Sequence, residues 1–437
     1  MTTEDAVAFA HTGSHLEVPE TVTSHLRARV LDTLATVTAG YRLPTADIVR
    51  TYATHRFAGA DDATLLDGTG TGVSLEAATL ANATAANALD IDDGHREVKG
   101  HPAAVVVPAA LAAAEAADAT VGRFLDAVLV GYELAVRAGL AIHATDDVYT
   151  GTGSWGAVGA AAAVGRLRGN TSETLAHALG TAEYHAPRTP ITRGVEQPGM
   201  TKDGIGWGAY AGTVAALLAE RGFTGSGTVF DESSVDVTDS LGDQFHVTEG
   251  YLKPYPCCRW AHPGVAAAID LRERAAIDPD TIERVQVETF VEATTLDTHV
   301  PDSAEAAEYS YPYPVAVALA RGRFTPTDLD AAERSDPAVR SLADRIDIAV
   351  DESLDERFPT ECLARVTVET TDGTYQSDVT RPPGARERPL TQGERIEKAS
   401  RLLRPTVDET AVESIRETLR APDRPVRALL APWSEES

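Results

Sequence analysis

Residues 75–117 read LEAATLANATAANALDIDDGHREVKGHPAAVVVPAALAAAEAA. Two alanine-rich runs, 75–89 and 102–117, flank a polar segment that crowds Asp90, Asp92, Asp93, His95, Arg96, Glu97, Lys99 and His101 together. Small side chains let helices approach closely, so the flanking runs predict a compact multi-helix core with the polar segment at the junction of two helix ends. The pattern extends in both directions. Upstream, Val22, Leu26, Val30, Leu31, Leu34 and Val37 recur at helical spacing between Pro19 and Gly40. Downstream, 121–140, 157–167, 172–182 and 207–221 read as further helices separated by Gly, Pro, Asp and Thr. As far as His262 the chain is nearly all helix.

Beyond His262 the periodicity changes. After a helix through Leu271, the alternation in IERVQVETFV predicts a strand over 282–291, with others at 346–350, 364–370 and 374–379, the last two forming a hairpin at Asp372-Gly373. Residues 304–320 read as at least partly helical and carry Tyr309, Tyr311 and Tyr313, and helices return at 396–403 and 410–419. The expected class is mainly α with a smaller α+β unit, the last helices rejoining the first.

Composition narrows the function classes. The 437 residues include 66 Asp+Glu against 38 Lys+Arg, a formal charge of −28, which repels nucleic-acid phosphate and anionic lipid. Lysine occurs only at Lys99, Lys202, Lys253 and Lys398, a balance that reads as salt adaptation and makes each lysine a question. Neither a signal-peptide pattern nor a spanning apolar run is present, and Cys257, Cys258 and Cys362 make no disulfide framework, so a cytoplasmic protein is expected. Gly151–Gly156 matches a bare GxGxxG, but helices surround it. Its glycines therefore read as sites of close helix packing or approach to a ligand, with no dinucleotide implied. The cysteines do not have iron–sulfur spacing either, and no cofactor is expected.

Three segments hold groups suited to chemistry. The loop from Asp90 to His101 gathers carboxylates, imidazoles and a lysine; Pro102 sets His101 at a helix start, whose positive dipole end predicts a neutral imidazole base. The alternative is a solvated connection with aspartate caps, and metal binding is the weaker reading because no HExxH or EF-hand pattern is present. Lys202 precedes a second helix start, a natural carboxylate site or else an ordinary surface charge. The run from Tyr251 to His262 joins Lys253, Cys258, Arg259 and His262 to rigid prolines, as a site wall or as a crossover between domains with buried thiols.

In this order the segments resemble the MmgE/PrpD family, which includes 2-methylcitrate dehydratases, cis-aconitate decarboxylases and an iminodisuccinate epimerase. The likeness rests on VPETVTSHLRARVLDTLATVTAG, ALDIDDGHREVKGHPAAVVVPAALAAAE, TKDGIGWGAYAGTVAALLAERGFTG, LKPYPCCRWAHPGVAAAIDL, EYSYPYPVAVALARG and RPPGARERPL. It implies a helical domain from both chain ends (1–264 and 391–437), an inserted α+β lid (265–390), a homodimer, and a metal-independent cleft between the domains. Position by position, it implies Asp90, His101, Lys202 and Tyr313 as catalytic residues, with Lys253 a matching lysine. Two departures stand out: Gly94-His95 follows the DxDD motif where threonine is common, and Cys258 stands where decarboxylases carry histidine.

Hydro-lyase chemistry on a small di- or tricarboxylate needs α-proton removal, protonation of the departing hydroxyl, and cations for the developing charge. Asp90 and His101 are the expected proton-transfer pair, with Tyr313 as acid. Lys202, Lys253 and Arg259 would hold carboxylates, while Asp93, His95, Lys99, Cys258 and His262 would line or support the pocket. A 2-methylcitrate dehydratase-like reaction is the first expectation, epimerisation or decarboxylation the alternatives, and a catalytically idle helical dimer the non-enzymatic one.

Overall fold

The computed structural model describes residues 2–57, 59–146, 148–232, 237 and 239–434. The protein is mainly α. Helix Pro102–Ala116 runs through the middle of the core with nearly every side chain buried, because its Ala and Val residues leave no bulk to hold neighbours away. Around it pack helices Leu75–Asn87, Val121–Thr145 and Thr152–Arg168, and Ile205–Ala219 closes the group against Thr152–Arg168 and Leu75–Asn87. Among the described residues no helix is long and apolar enough to cross a membrane.

The GxGxxG stretch opens helix Thr152–Arg168, five residues earlier than its apolar period suggests, and its glycines do serve packing. One turn on, a Cβ on Gly159 would lie 2.3 Å from the Gly131 carbonyl oxygen of the neighbouring helix. Gly159→Ala should therefore cost about 1–3 kcal/mol by overpacking, read as a lowered urea midpoint at unchanged m-value. Helices Thr3–Thr12 and Pro44–Arg56, absent from the sequence reading, complete the outer layer.

After helix His262–Ala275 the chain builds a four-stranded sheet in the order Ile346–Val350, Ile282–Thr289, Arg365–Thr370, Gly373–Gln376. The first two strands are parallel, linked by a helical crossover, and the remaining pairs are antiparallel. Register places Val285 opposite Val368 and Val287 opposite Val366, and these four buried residues form one apolar face, the period-2 expectation for a half-covered sheet. The last strand ends earlier than expected, where the Ser377 hydroxyl accepts from the Val366 amide and interrupts the ladder. The run at 304–320 is broken into helices Ala304–Glu308 and Pro312–Arg321, because Pro312 has no amide hydrogen to return to the Glu308 carbonyl, which accepts from the Cys258 amide instead. Helix Gln392–Leu403 then returns to pack on helix Glu20–Gly40, and the Trp433 indole donates to Thr38 on that same helix.

Candidate active site

The polar loop is shaped at both ends by its helices. Helix Leu75–Asn87 stops two residues short of the expected end; Asn87 turns its side-chain amide to Asp92 Oδ1 at 3.0 Å while its carbonyl accepts from the Asp90 amide. Asp90 itself takes a left-handed backbone, φ 48°, and so do Lys99 at 48° and Lys202 at 45°. Such a conformation costs a side-chain-bearing residue about 1–2 kcal/mol, so the surrounding contacts must hold these three residues in place. At the far end His101 is the N-cap of helix Pro102–Ala116, and its amide donates to Thr152 Oγ1 at 3.1 Å.

A short antiparallel bridge pairs Asp93 with Leu252 and Gly94 with Tyr251, which delivers Lys253 to the same spot. A Cβ on Gly94 would lie 2.3 Å from the Tyr251 ring, so a larger residue here would have to push that ring aside. Lys253 Nζ lies 2.9 Å from Asp90 Oδ1 and donates to the Asp90 carbonyl at 3.0 Å. His101 Nε2 stands 3.8 Å and Lys202 Nζ 4.0 Å from the same Asp90 oxygen. Burial, the largest influence, favours the neutral Asp90 acid, but Lys253, Lys202 and His101 together outweigh it and hold the carboxyl well below the usual carboxylate range. Burial opposes charge on Lys253 and Lys202 too, and their acidic neighbours reverse it, so both lysines stay charged.

His101 departs from the neutral base expected at a helix start. Its Nδ1 donates to the Asp93 carbonyl at 2.8 Å and lies 3.0 Å from Asp92 Oδ2. Burial alone would lower its pKa, but Asp92 and Asp90 raise it to about 9. A helix terminus is worth about 0.3–1 kcal/mol, less than the pull of a buried carboxylate 3.0 Å from the ring, so the carboxylate decides. His101 is an imidazolium with Nε2 facing the cleft.

Asp90, His101 and Lys253 line a cavity of about 470 Å³ together with Lys99, Arg259, Asp203, Cys258 and Tyr309, while Lys202 sits behind this lining with its ammonium on Glu308. Lys99 Nζ lies 3.6 Å from the centroid of the Tyr149 ring, and the Arg259 guanidinium 4.1 Å from that of Tyr251. Burial pushes the Cys258 thiol up to about 12, leaving it a neutral wall. Four expected residues lie elsewhere. Tyr313 is fully buried, its hydroxyl donating to the Asp328 carbonyl and its ring edge-on to Phe324, so the break at Pro312 puts Tyr309 at the cleft instead. The Asp93 carboxylate accepts from the Ala103 amide and the Tyr132 hydroxyl, and burial raises it to about 6. His262 bonds the Cys257 carbonyl through Nε2 and is kept neutral by burial. His95 is buried beside His246.

Sequence reasoning missed four groups. Glu308 pairs with the Lys202 ammonium, and burial raises it to about 8. Asp203 lies 3.9 Å from His101 Nε2 and accepts from Thr152. Asp92 sets the charge of His101. Lys398, the lysine outside the three motifs, is buried and donates to the Ile91 carbonyl at 2.7 Å while pairing with Asp32 at 2.6 Å. Its scarcity was the available signal, and it marks the support of the Asp90 loop.

The MmgE/PrpD N-terminal domain model matches residues 4–245 and the MmgE/PrpD C-terminal domain model matches 255–423. The cis-aconitate decarboxylase of Aspergillus terreus (strain NIH 2624 / FGSC A1156) is 26% identical, over 95% of this chain and 92% of that protein. The cis-aconitate decarboxylase-like protein oryM of Aspergillus oryzae (strain ATCC 42149 / RIB 40) is also 26% identical, over 79% of each chain. With both halves of the family pattern matched in order across nearly its whole length, the chain belongs to the MmgE/PrpD family.

Proposed function

We propose that this protein is a metal-independent lyase that delivers a proton from His101 to a small di- or tricarboxylate in the cleft. The observation that carries the reading is the charge state of the site: an imidazolium and two ammonium groups converge on one strongly ionised aspartate. Such a site binds carboxylates and donates protons more readily than it removes them. That balance favours decarboxylation with a double-bond shift, as on cis-aconitate. The alkene CH takes one proton, the bond to the departing CO2 breaks, and its electron pair becomes the new double bond. His101 supplies the proton, and Lys202, Lys253 and Arg259 hold the carboxylates. The relatives named above support the same substrate class.

Loss of water from a 2-methylcitrate-like acid is the second reading. It is favoured by Cys258, a neutral thiol where decarboxylases of the family carry histidine. Asp203, raised by burial, would serve there as the proton acceptor. Incubation with cis-aconitate and, separately, 2-methylcitrate in deuterium oxide, followed by NMR and CO2 release, separates the two. CO2 with one carbon-bound deuterium supports decarboxylation, and an alkene product without CO2 supports dehydration. Inertness of the folded protein toward both acids and toward other small di- and tricarboxylates would overturn the proposal. We further propose that the segment 265–390 acts as the lid of the cleft and that the protein works as a homodimer in the cytoplasm.

A further inference from the structure

His95 stands outside the cleft and is 1% exposed, yet neither of its ring nitrogens has a hydrogen-bond partner among the described residues. A buried polar group left unpaired costs about 1–3 kcal/mol, and a neutral imidazole has both a donor and an acceptor to satisfy. The ring meets His246 edge-on, centroids 5.5 Å apart, and its Nε2 lies 4.0 Å from Glu249 Oε2. His246 Nδ1 is 2.9 Å from that same oxygen. An ordinary hydrogen bond explains His246 and Glu249 as a pair, but it leaves His95 unexplained.

The geometry points to a binding site for a zinc-class divalent cation, separate from the cleft, formed by His95, His246 and Glu249. One ligand atom from each residue lies within 4.8 Å of the others. Two imidazole nitrogens and one carboxylate oxygen suit Zn2+, Co2+ or Ni2+, with a fourth position left for water. Metal–ligand bonds of about 2.0–2.2 Å require the donor atoms to draw closer. His246 and Glu249 are only partly buried and sit three residues apart around the turn His246–Thr248, so their side chains are free to close on the fixed His95. Arg386 lies 3.7 Å from the other Glu249 oxygen, so only the His246 contact must be given up for Oε2 to turn to the ion. A second cluster, Asp90 with Asp92 and His101, also meets the distance condition, but Lys253 and Asn87 already occupy its oxygens. An ion at His95 would fasten the 246–249 turn to the strand residue beside the bridge that seats Lys253.

The test uses the untagged full chain, stripped with a chelator and dialysed. Zn2+ stoichiometry by elemental analysis should reach one ion per chain, and Co2+ should give a visible d–d absorption band. Both signals should be lost in His95→Ala and weakened at least tenfold in Glu249→Gln, and should persist in the control His55→Ala. Glu249→Gln changes a partly exposed residue and decides the matter if His95→Ala does not fold. Binding well below one ion per chain, or binding unchanged in Glu249→Gln, overturns the proposal.

Discussion

Lys253→Met should destabilise the protein by about 3–5 kcal/mol, the cost of leaving one member of a buried ion pair without its partner. Lys253 and Asp90 are each 2% exposed, and the ammonium holds both the Asp90 carboxylate and its backbone carbonyl. Without it, the Asn87 amide remains at a long 3.5 Å, and Lys202 at 4.0 Å and His101 at 3.8 Å lie beyond hydrogen-bond length. Burial would then push the Asp90 carboxyl back up. The double variant Lys253→Met/Asp90→Asn should recover more than half of the loss, because it removes the stranded charge as well. Urea unfolding of the two variants measures both quantities. A loss below about 1 kcal/mol would mean that water reaches Asp90 and that the pair behaves as a surface one.

The second large effect concerns His101, the proposed proton donor. His101→Gln should lower kcat on the true substrate by about 10²–10⁴-fold, the usual range for a general acid, with the circular dichroism spectrum unchanged. The pH profile identifies the mechanism more sharply. With His101 at about 9, turnover that needs its proton is full near neutrality and falls as pH rises through that value. Asp92 is the leading influence raising it, so Asp92→Asn should shift the alkaline limb down toward the ordinary 6.5 while the acid limb stays in place. An alkaline limb that does not move in Asp92→Asn would take His101 out of the proton-transfer step.

Much of this architecture was legible in the sequence because its signals are local and periodic. Alanine-rich runs fixed the central helices, and the alternation in IERVQVETFV placed the middle strand with the correct residues inward, although it ends at Thr289, two residues before the expected Val291. The rarity of lysine pointed to Lys202 and Lys253 without any fold. What failed depended on tertiary neighbours. A single helix through 304–320 would put Tyr309 and Tyr313 on one face, whereas the break at Pro312 sends Tyr309 to the cleft and Tyr313 into the interior. The helix dipole suggested a neutral His101, and only the folded loop brings Asp92 to its ring. Glu308 and Asp203 sit far along the chain from the residues they touch, so spacing carried no trace of them.

Lys398 has a consequence for synthesis. It grips the Ile91 carbonyl from 307 positions away, so a nascent chain can complete most of its helices on the ribosome while the loop from Asp90 to His101 still lacks a fastening. Fragments ending before that residue would leave the Ile91 carbonyl and Asp32 without their buried ammonium partner.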